Sequence, residues 1–246
     1  VALASDDPAT IFYTSGTTGH PKGALGTHRN LATNILSGAF AAARNFVRRG
    51  EPVPDPAPRT ILTVIPLFHV TACSATLMGS MAAGHTMIFM RKWDAVQAMQ
   101  IIERERVNVT GGVPTIAWQL LEHPDREQYD LSSLEAISYG GAPSAPELVK
   151  RIYEEFGALP GNGWGMTETM ATVTSHSAED YLGRPTSAGP PVPVADLEIR
   201  ADDGVTPLPT GTVGELWARG PMIVTGYWNK PQATAETFVG GWVRTG

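Results

Sequence analysis

The chain has 246 residues, 42% of them hydrophobic, and 24 Asp and Glu stand against 18 Lys and Arg for a formal net charge of −6. That length and apolar content support a packed core in one large or two small domains. Mild negative charge without long single-sign blocks argues against a nucleic-acid footprint and a polybasic membrane patch, and the one cysteine, Cys73, excludes an internal disulfide and a cysteine-rich metal site.

A reducing, cytoplasmic compartment is the expectation, and no basic segment leads into an apolar core as in a secretory signal. TIFYT (10–14) reads as a short apolar strand, and after a glycine-rich loop a helix is expected to start at THRN (27–30), with Leu31 and Ile35 on one face. Residues 60–90 contain no Lys, Arg, Asp or Glu, a run longer than the ~20 residues that span a bilayer. Pro66, His69, Gly84 and His85 interrupt it, so it is read instead as a buried strand (61–65), a loop, a small-residue helix (about 71–83) and a second buried strand (86–90).

WDAVQAMQIIERERV offers Asp94 as a helix N-cap, with Val96, Met99 and Ile101 or Ile102 facing inward, and NVTGGVP follows as strand and turn. In SYGGAPSAPELVKRIYEEFG, Ser144 and Glu147 predict a capping box, Pro146 takes a first-turn position, Leu148, Ile152 and Phe156 recur at i+4, and Gly157 closes the helix. Strand-helix alternation of this kind predicts an α/β fold with a mostly parallel sheet flanked by helices. From Gly183 the texture changes: Pro and Gly become dense, and LEIRA, GTVGELWARG and the Trp242–Arg244 stretch read as short antiparallel strands of a small barrel. The expected organisation is a phosphate-loop strand and helix (1–45), a central α/β subdomain (46–184) and a β-rich subdomain (185–246).

Chemistry concentrates first in TSGTTGHPKG. Its glycines allow backbone N–H groups to turn toward an anion, the hydroxyls of Thr14, Ser15, Thr17 and Thr18 add donors beside Gly16 and Gly19, and Lys22 adds a point charge. The Walker pattern is absent, since no glycine immediately precedes Lys22 and Gly23 follows it where that pattern needs Ser or Thr. This disfavours a P-loop phosphotransferase. Ser138 and Ser144 lack the flanks of a serine-hydrolase elbow, and His85, His123 and His176 have no companions at metal-ligand spacing.

YTSGTTGHPKG closely resembles the phosphate-loop signature of the acyl-adenylate-forming superfamily. PLFH (66–69), YGGAP (139–143), GWGMTE (163–168), GELWARGPMIVTGYW (214–228) and GGWVRTG (240–246) follow in that family's order, and the likeness is greatest to fatty acyl-CoA synthetases. The resemblance implies a distorted flavodoxin-like subdomain, with ATP, Mg²⁺ and coenzyme A as cofactors and a small carboxylic acid as substrate. It places Gly140, Gly141, Ala142 and Pro143 beside the adenine. Trp164 would stack on the base with Asn162 and Gly163 nearby, Thr167 would donate to the α-phosphate, and Glu168 would hold Mg²⁺. The family more often has Tyr at the Trp164 position, so a flat face is kept and a phenol lost.

By the same resemblance Phe68, His69, Val70, Gly141, Gly165 and Met166 border the acyl site. A neutral His69, where amino-acid-activating relatives carry Asp, argues against an amino-acid substrate, whose buried ammonium would lack a counter-charge. The family continues beyond RTG with a ribose-binding Asp and a mobile C-terminal domain that packs over the site. It also carries a segment ahead of the phosphate loop. The 246 residues alone are therefore expected to turn over slowly or not at all. An aryl-CoA ligase and a non-catalytic nucleotide-binding scaffold remain as alternatives.

Overall fold

The computed structural model describes residues 2–14, 20–142 and 144–246. Strand β1 (Pro8–Thr14) pairs antiparallel with β2 (Lys22–Thr27), and the register sets Thr14 opposite Lys22. The two strands thus form an antiparallel pair on either side of the glycine-rich stretch in the sequence. Thr27 ends β2 and caps α1 (His28–Arg49): its Oγ1 accepts from Asn30 N and its own N–H donates to Asn30 Oδ1.

Leu31 and Ile35 of α1 are only half-buried, and the deeply buried side chains are Asn30, Asn34 and Ser37. The inward face is polar because it serves loop backbone. Asn30 Nδ2 donates to the Pro221 and Ile223 carbonyls at 2.7 and 2.9 Å, and Asn34 Oδ1 accepts from Thr172 N at 3.2 Å.

The uncharged stretch forms β3 (Thr60–Thr63), a π-helical segment (Thr71–Met78), a single turn α2 (Gly79–Ala82) and β4 (Thr86–Phe89). The expected α-helix over 71–83 is thus π-helical for most of its length, its wider turn stitched by Thr76 Oγ1 donating to the Thr71 carbonyl. No helix among the described residues is long and apolar enough to cross a membrane. The chain continues through α3 (Ala95–Glu105), β5 (Val109–Gly112), α4 (Pro114–Leu121), β6 (Ala136–Gly140), α5 (Pro146–Phe156), β7 (Leu159–Trp164), β8 (Thr174–Ser177) and α6 (Ala178–Gly183).

Six strands form one sheet in the order β4-β3-β5-β6-β7-β8, parallel throughout except for the β7–β8 pair. Asp94 caps α3 as expected, accepting from Gln97 N at 2.9 Å, and Met99 and Ile102 are fully buried. They pack with Leu62, Leu120, Ile137, Leu148 and Ile152 in the core between this sheet and α3, α4 and α5. The Ser144–Glu147 capping box is not formed. Pro146 starts α5 with Ala145 as a cap without a side-chain bond, and Ser144 Oγ, one residue too early to cap, donates to Tyr139 Oη at 3.2 Å.

Strands β9 (Asp196–Arg200) and β10 (Glu215–Arg219), helix α7 (Pro231–Thr237), β11 (Phe238–Val239) and β12 (Trp242–Arg244) complete the chain. Their antiparallel sheet runs β11-β12-β10-β9. One face packs Ala218, Val243 and Val192 into a core, and on the other the Arg200 guanidinium lies 4.4 Å from the Trp217 ring centroid and 4.6 Å from that of Trp242. Arg200→Ala is expected to cost about 2 kcal/mol in urea unfolding, because two largely desolvated cation–π contacts go at once. Arg200→Lys should recover only part, since an ammonium cannot stack as the planar fork does.

The distal end of α1 is held to β8 and α6 by polar contacts. Arg44 donates to the Ser175 carbonyl at 2.8 Å, Asn45 to Ser177 Oγ at 2.7 Å, and Arg48 pairs with Asp180. His176 is buried there against the Tyr181 ring, its Nε2 without a partner among the described residues. Burial lowers its pKa, helped by Arg44 and opposed by the Ser187 backbone and Asp180. Since an unfolded imidazole takes its proton near pH ~6.5 and the folded one resists, the stabilisation is complete above that pH and is lost as pH falls toward the folded value. Urea midpoints of the wild type are expected to decline below that pH, by at most about 1.4 kcal/mol per pH unit from this group. In His176→Phe that contribution to the slope should vanish.

Candidate active site

Parallel strands β3, β5, β6 and β7 end at Thr63, Gly112, Gly140 and Trp164, so the segments that follow them leave one edge of the sheet, where open α/β sheets bind ligands. In the β6–β7 register Gly140 lies opposite Gly163, which sets YGGAP beside GNGWGMTE. Gly141 has φ +74°, a left-handed conformation suited to glycine, and Gly141 and Ala142 are exposed. Asn162 Oδ1 accepts from Gly163 N at 2.8 Å. Trp164 and Met166 pack against the Val173–Val192–Met222 cluster, and Trp164 remains half-buried at the end of β7.

After β7 the chain makes a single 3₁₀ turn over Thr167–Thr169. Thr169 Oγ1 accepts from Met166 N and lies 3.0 Å from the Ala171 carbonyl, while Glu168 accepts at its own carbonyl from Val224 N at 2.9 Å. Met170 and Ala171 then take positive φ of 50° and 97°, a costly backbone for residues bearing a Cβ. Ser74 of the π-helical segment donates to the Met170 carbonyl at 3.0 Å. The turn is therefore held by α1, by the π-helix and by the segment leading to Tyr227.

That segment, 225–228, runs beside β2: Thr225 N donates to the Leu25 carbonyl at 3.0 Å, Leu25 N to that of Gly226 at 2.9 Å, and Trp228 N to that of Gly23 at 2.8 Å. It carries Tyr227 to the turn, where the phenol donates to Glu168 Oε1 at 2.6 Å. Lys22, at the start of β2, holds its ammonium 4.5 Å from the centroid of the same ring. Lys22 and Glu168, distant in sequence, thus both contact one tyrosine, Lys22 at its ring face and Glu168 at its hydroxyl. Burial first, then the Glu168 carboxylate, raises the Tyr227 pKa and keeps it a neutral donor. Its role was not read from the sequence, although GYW lies in one of the quoted motifs, because nothing local reveals what the phenol touches.

Thr167, Gly165 and Met166 are half-buried beside this cluster. Thr14 Oγ1, opposite Lys22, is buried without a partner among the described residues. Ser15, Gly16, Thr17, Thr18, Gly19 and Pro143 lie outside the described residues. His69 is exposed rather than satisfied in the core; its Nδ1 accepts from Thr71 N at 3.2 Å, and no hydrogen bond among the described residues joins it to Lys22, Thr167 or Glu168. Phe68 is 82% exposed, whereas Val70 packs with Phe12, Met170 and Tyr227. A surface cleft of about 540 Å³ between Trp93 and Trp118 contains none of these residues.

The donor set suits a magnesium nucleotide. Glu168 has Oε1 taken by Tyr227 and Oε2 without a partner among the described residues, and the described residues hold no cluster of three or more His, Cys, Asp or Glu. Mg²⁺ at nucleotide sites takes one or two protein carboxylates and fills its shell with phosphate oxygens and water, so a single carboxylate suffices.

The model of the AMP-binding enzyme family matches residues 1–228, and the chain belongs to that family. Among curated proteins it is 33% identical to 4-coumarate:CoA ligase 1 of Petunia hybrida, covering 100% of this chain and 45% of that protein. It is 34% identical to feruloyl-CoA synthase of an Amycolatopsis species, covering 98% and 46%. The chain spans about half the length of the curated relatives it matches. Among solved structures, the N-terminal domain of FACL13 from Mycobacterium tuberculosis superposes with a TM-score of 0.84 at 34% identity, over 100% of this chain and 58% of that one. The o-succinylbenzoate coenzyme A synthetase of Bacillus subtilis in complex with ATP and magnesium ion gives 0.83 at 28%, over 99% and 48%.

Proposed function

We propose that the protein carrying this chain activates a carboxylic acid with ATP, releasing pyrophosphate, and then passes the acyl group from acyl-AMP to the thiol of coenzyme A. The observation that carries the reading is that Lys22, at the start of β2, and Glu168 both contact Tyr227. A carboxylate oxygen of the acid attacks the α-phosphorus as the bond to pyrophosphate breaks, and negative charge builds on the phosphoryl oxygens.

In this reading Lys22 and the Thr167 hydroxyl meet that charge, and fixed donors of this kind cost no reorganisation during the reaction. Glu168 would hold Mg²⁺, which when bound supplies Lewis-acid neutralisation of phosphate oxygens. The loop from Thr14 to Gly19 cradles the phosphates, Gly140 to Pro143 and Trp164 receive the base, and Phe68, His69, Val70, Gly141, Gly165 and Met166 border the acyl group. In the second step the thiolate sulfur forms the thioester and AMP leaves.

The acid is a fatty acid in our first reading, supported by the resemblance of the motif series and the likeness to a solved fatty acyl CoA synthetase of Mycobacterium tuberculosis. A second reading, an aryl-propenoic acid, is favoured by the 4-coumarate and feruloyl relatives. Exchange of labelled pyrophosphate into ATP, measured on the full-length protein with alkanoates, cinnamates and amino acids, decides between them. Stimulation by alkanoates supports the first, and stimulation by cinnamates alone selects the second. Exchange that responds to no carboxylic acid sinks both.

A further inference from the structure

We propose that Tyr227 is a positioning residue of the nucleotide site: its hydroxyl sets the Glu168 carboxylate and its ring face sets the Lys22 ammonium, so one side chain fixes both charges. The proposal rests on the reading of Lys22 and Glu168 as the triphosphate and metal ligands.

Tyr227 is 6% exposed and cannot swing freely. Phe238 packs edge-on against its ring at 5.4 Å, its N–H donates to Thr234 Oγ1 at 2.9 Å, and the flanking backbone is bonded to β2. A phenol donating to an ionised carboxylate makes a charge-assisted hydrogen bond, short and directional. With Oε1 accepting from the phenol, the carboxylate is held in one orientation, and lone pairs on its oxygens remain to offer a metal. Outer partners that orient a metal-binding carboxylate usually change metal affinity about 10–100-fold when removed. The ring face attracts the ammonium through its quadrupole and needs no hydroxyl. Phenylalanine therefore separates the two tasks, and leucine removes both.

The test uses the full-length protein with ATP and Mn²⁺ as probes. Isothermal titration in EDTA measures metal-free ATP binding, and electron paramagnetic resonance measures the Mn²⁺ dissociation constant in the presence of ATP. Tyr227→Phe is expected to raise the Mn²⁺ constant about 10–100-fold and to leave metal-free ATP binding unchanged. Tyr227→Leu is expected to weaken both.

An unchanged Mn²⁺ constant in Tyr227→Phe, with Glu168→Gln raising it, overturns the proposal and leaves the nucleotide reading standing. If neither Glu168→Gln nor Lys22→Ala alters either constant, the nucleotide reading falls and takes the proposal with it. Melting temperatures report folding of each variant. Should Tyr227→Phe fail to fold, Phe238→Leu loosens the ring while leaving both charges in place. It is expected to raise the Mn²⁺ constant, and no change there overturns the proposal.

Discussion

Replacing Glu168 with alanine is expected to lower acid-dependent pyrophosphate–ATP exchange by about 10²–10³-fold, the scale on which a preorganised charge-stabilising contact contributes to a transition state. The loss should fall mainly on kcat, because charge on the phosphoryl oxygens grows as the α-phosphorus is attacked and the contact strengthens with it. Stability should suffer as well. Glu168 is buried and accepts from the equally buried Tyr227 hydroxyl, so alanine leaves that donor unsatisfied at a cost of about 1–3 kcal/mol. Glu168→Gln keeps an acceptor of the same shape and should restore much of the stability while leaving exchange low. Kinetics and urea unfolding on the two variants check both halves. Undiminished exchange in either removes Glu168 from the metal role.

The second large effect belongs to Gly165. A Cβ there would overlap the carbonyl oxygen of Ala171, a backbone atom with no room to retreat. Ala171 N is bonded to the Met166 carbonyl and Val173 N to that of Trp164, and Ala171 already sits at φ +97°. Either residue 165 or the whole 166–172 loop must shift, and the loop carries Thr167 and Glu168. Gly165→Ala is expected to lose about 3 kcal/mol or more, the upper range for overpacking, and to lose nucleotide binding. Gly38, inside α1 with nothing within 4 Å of a built Cβ, is the matched control. Gly38→Ala should stabilise by about 0.5–1 kcal/mol, since alanine is the better helix former. Thermal unfolding and ATP titration compare the two, and a stable, nucleotide-binding Gly165→Ala would contradict the packing described.

Much of the central sheet and its helices was legible because local signals agreed with the long-range outcome. Asp94 before an apolar period, Leu148 and Ile152 four apart, and Gly157 at a helix end each state a preference that packing then used. The misses share a cause, which is that distant parts of the chain decide them. Strand β2, KGALGT, shows no alternation and only one β-branched side chain, Thr27 at its end, and it is a strand because β1 on one side and 225–228 on the other supply its hydrogen bonds.

Pro114 follows a strand and reads as a turn, yet it opens α4, where proline at the first helical position sacrifices no hydrogen bond. In α1 the apolar period points to Leu31 and Ile35, whereas burial selects Asn30 and Asn34, since what they face is loop backbone rather than aliphatic side chains. The same limit applies to the site. The residue types in TSGTTGHPKG and GWGMTE state their chemistry locally, but the tyrosine that joins Lys22 to Glu168 comes from a third segment, and only the fold brings it there.

A crystal structure of the full-length protein with ATP and Mg²⁺ tests the account most directly. The account predicts one triphosphate with an oxygen within hydrogen-bond reach of Lys22 Nζ and a metal ion between its phosphates and Glu168. A nucleotide bound elsewhere, or one that contacts neither side chain, would contradict it.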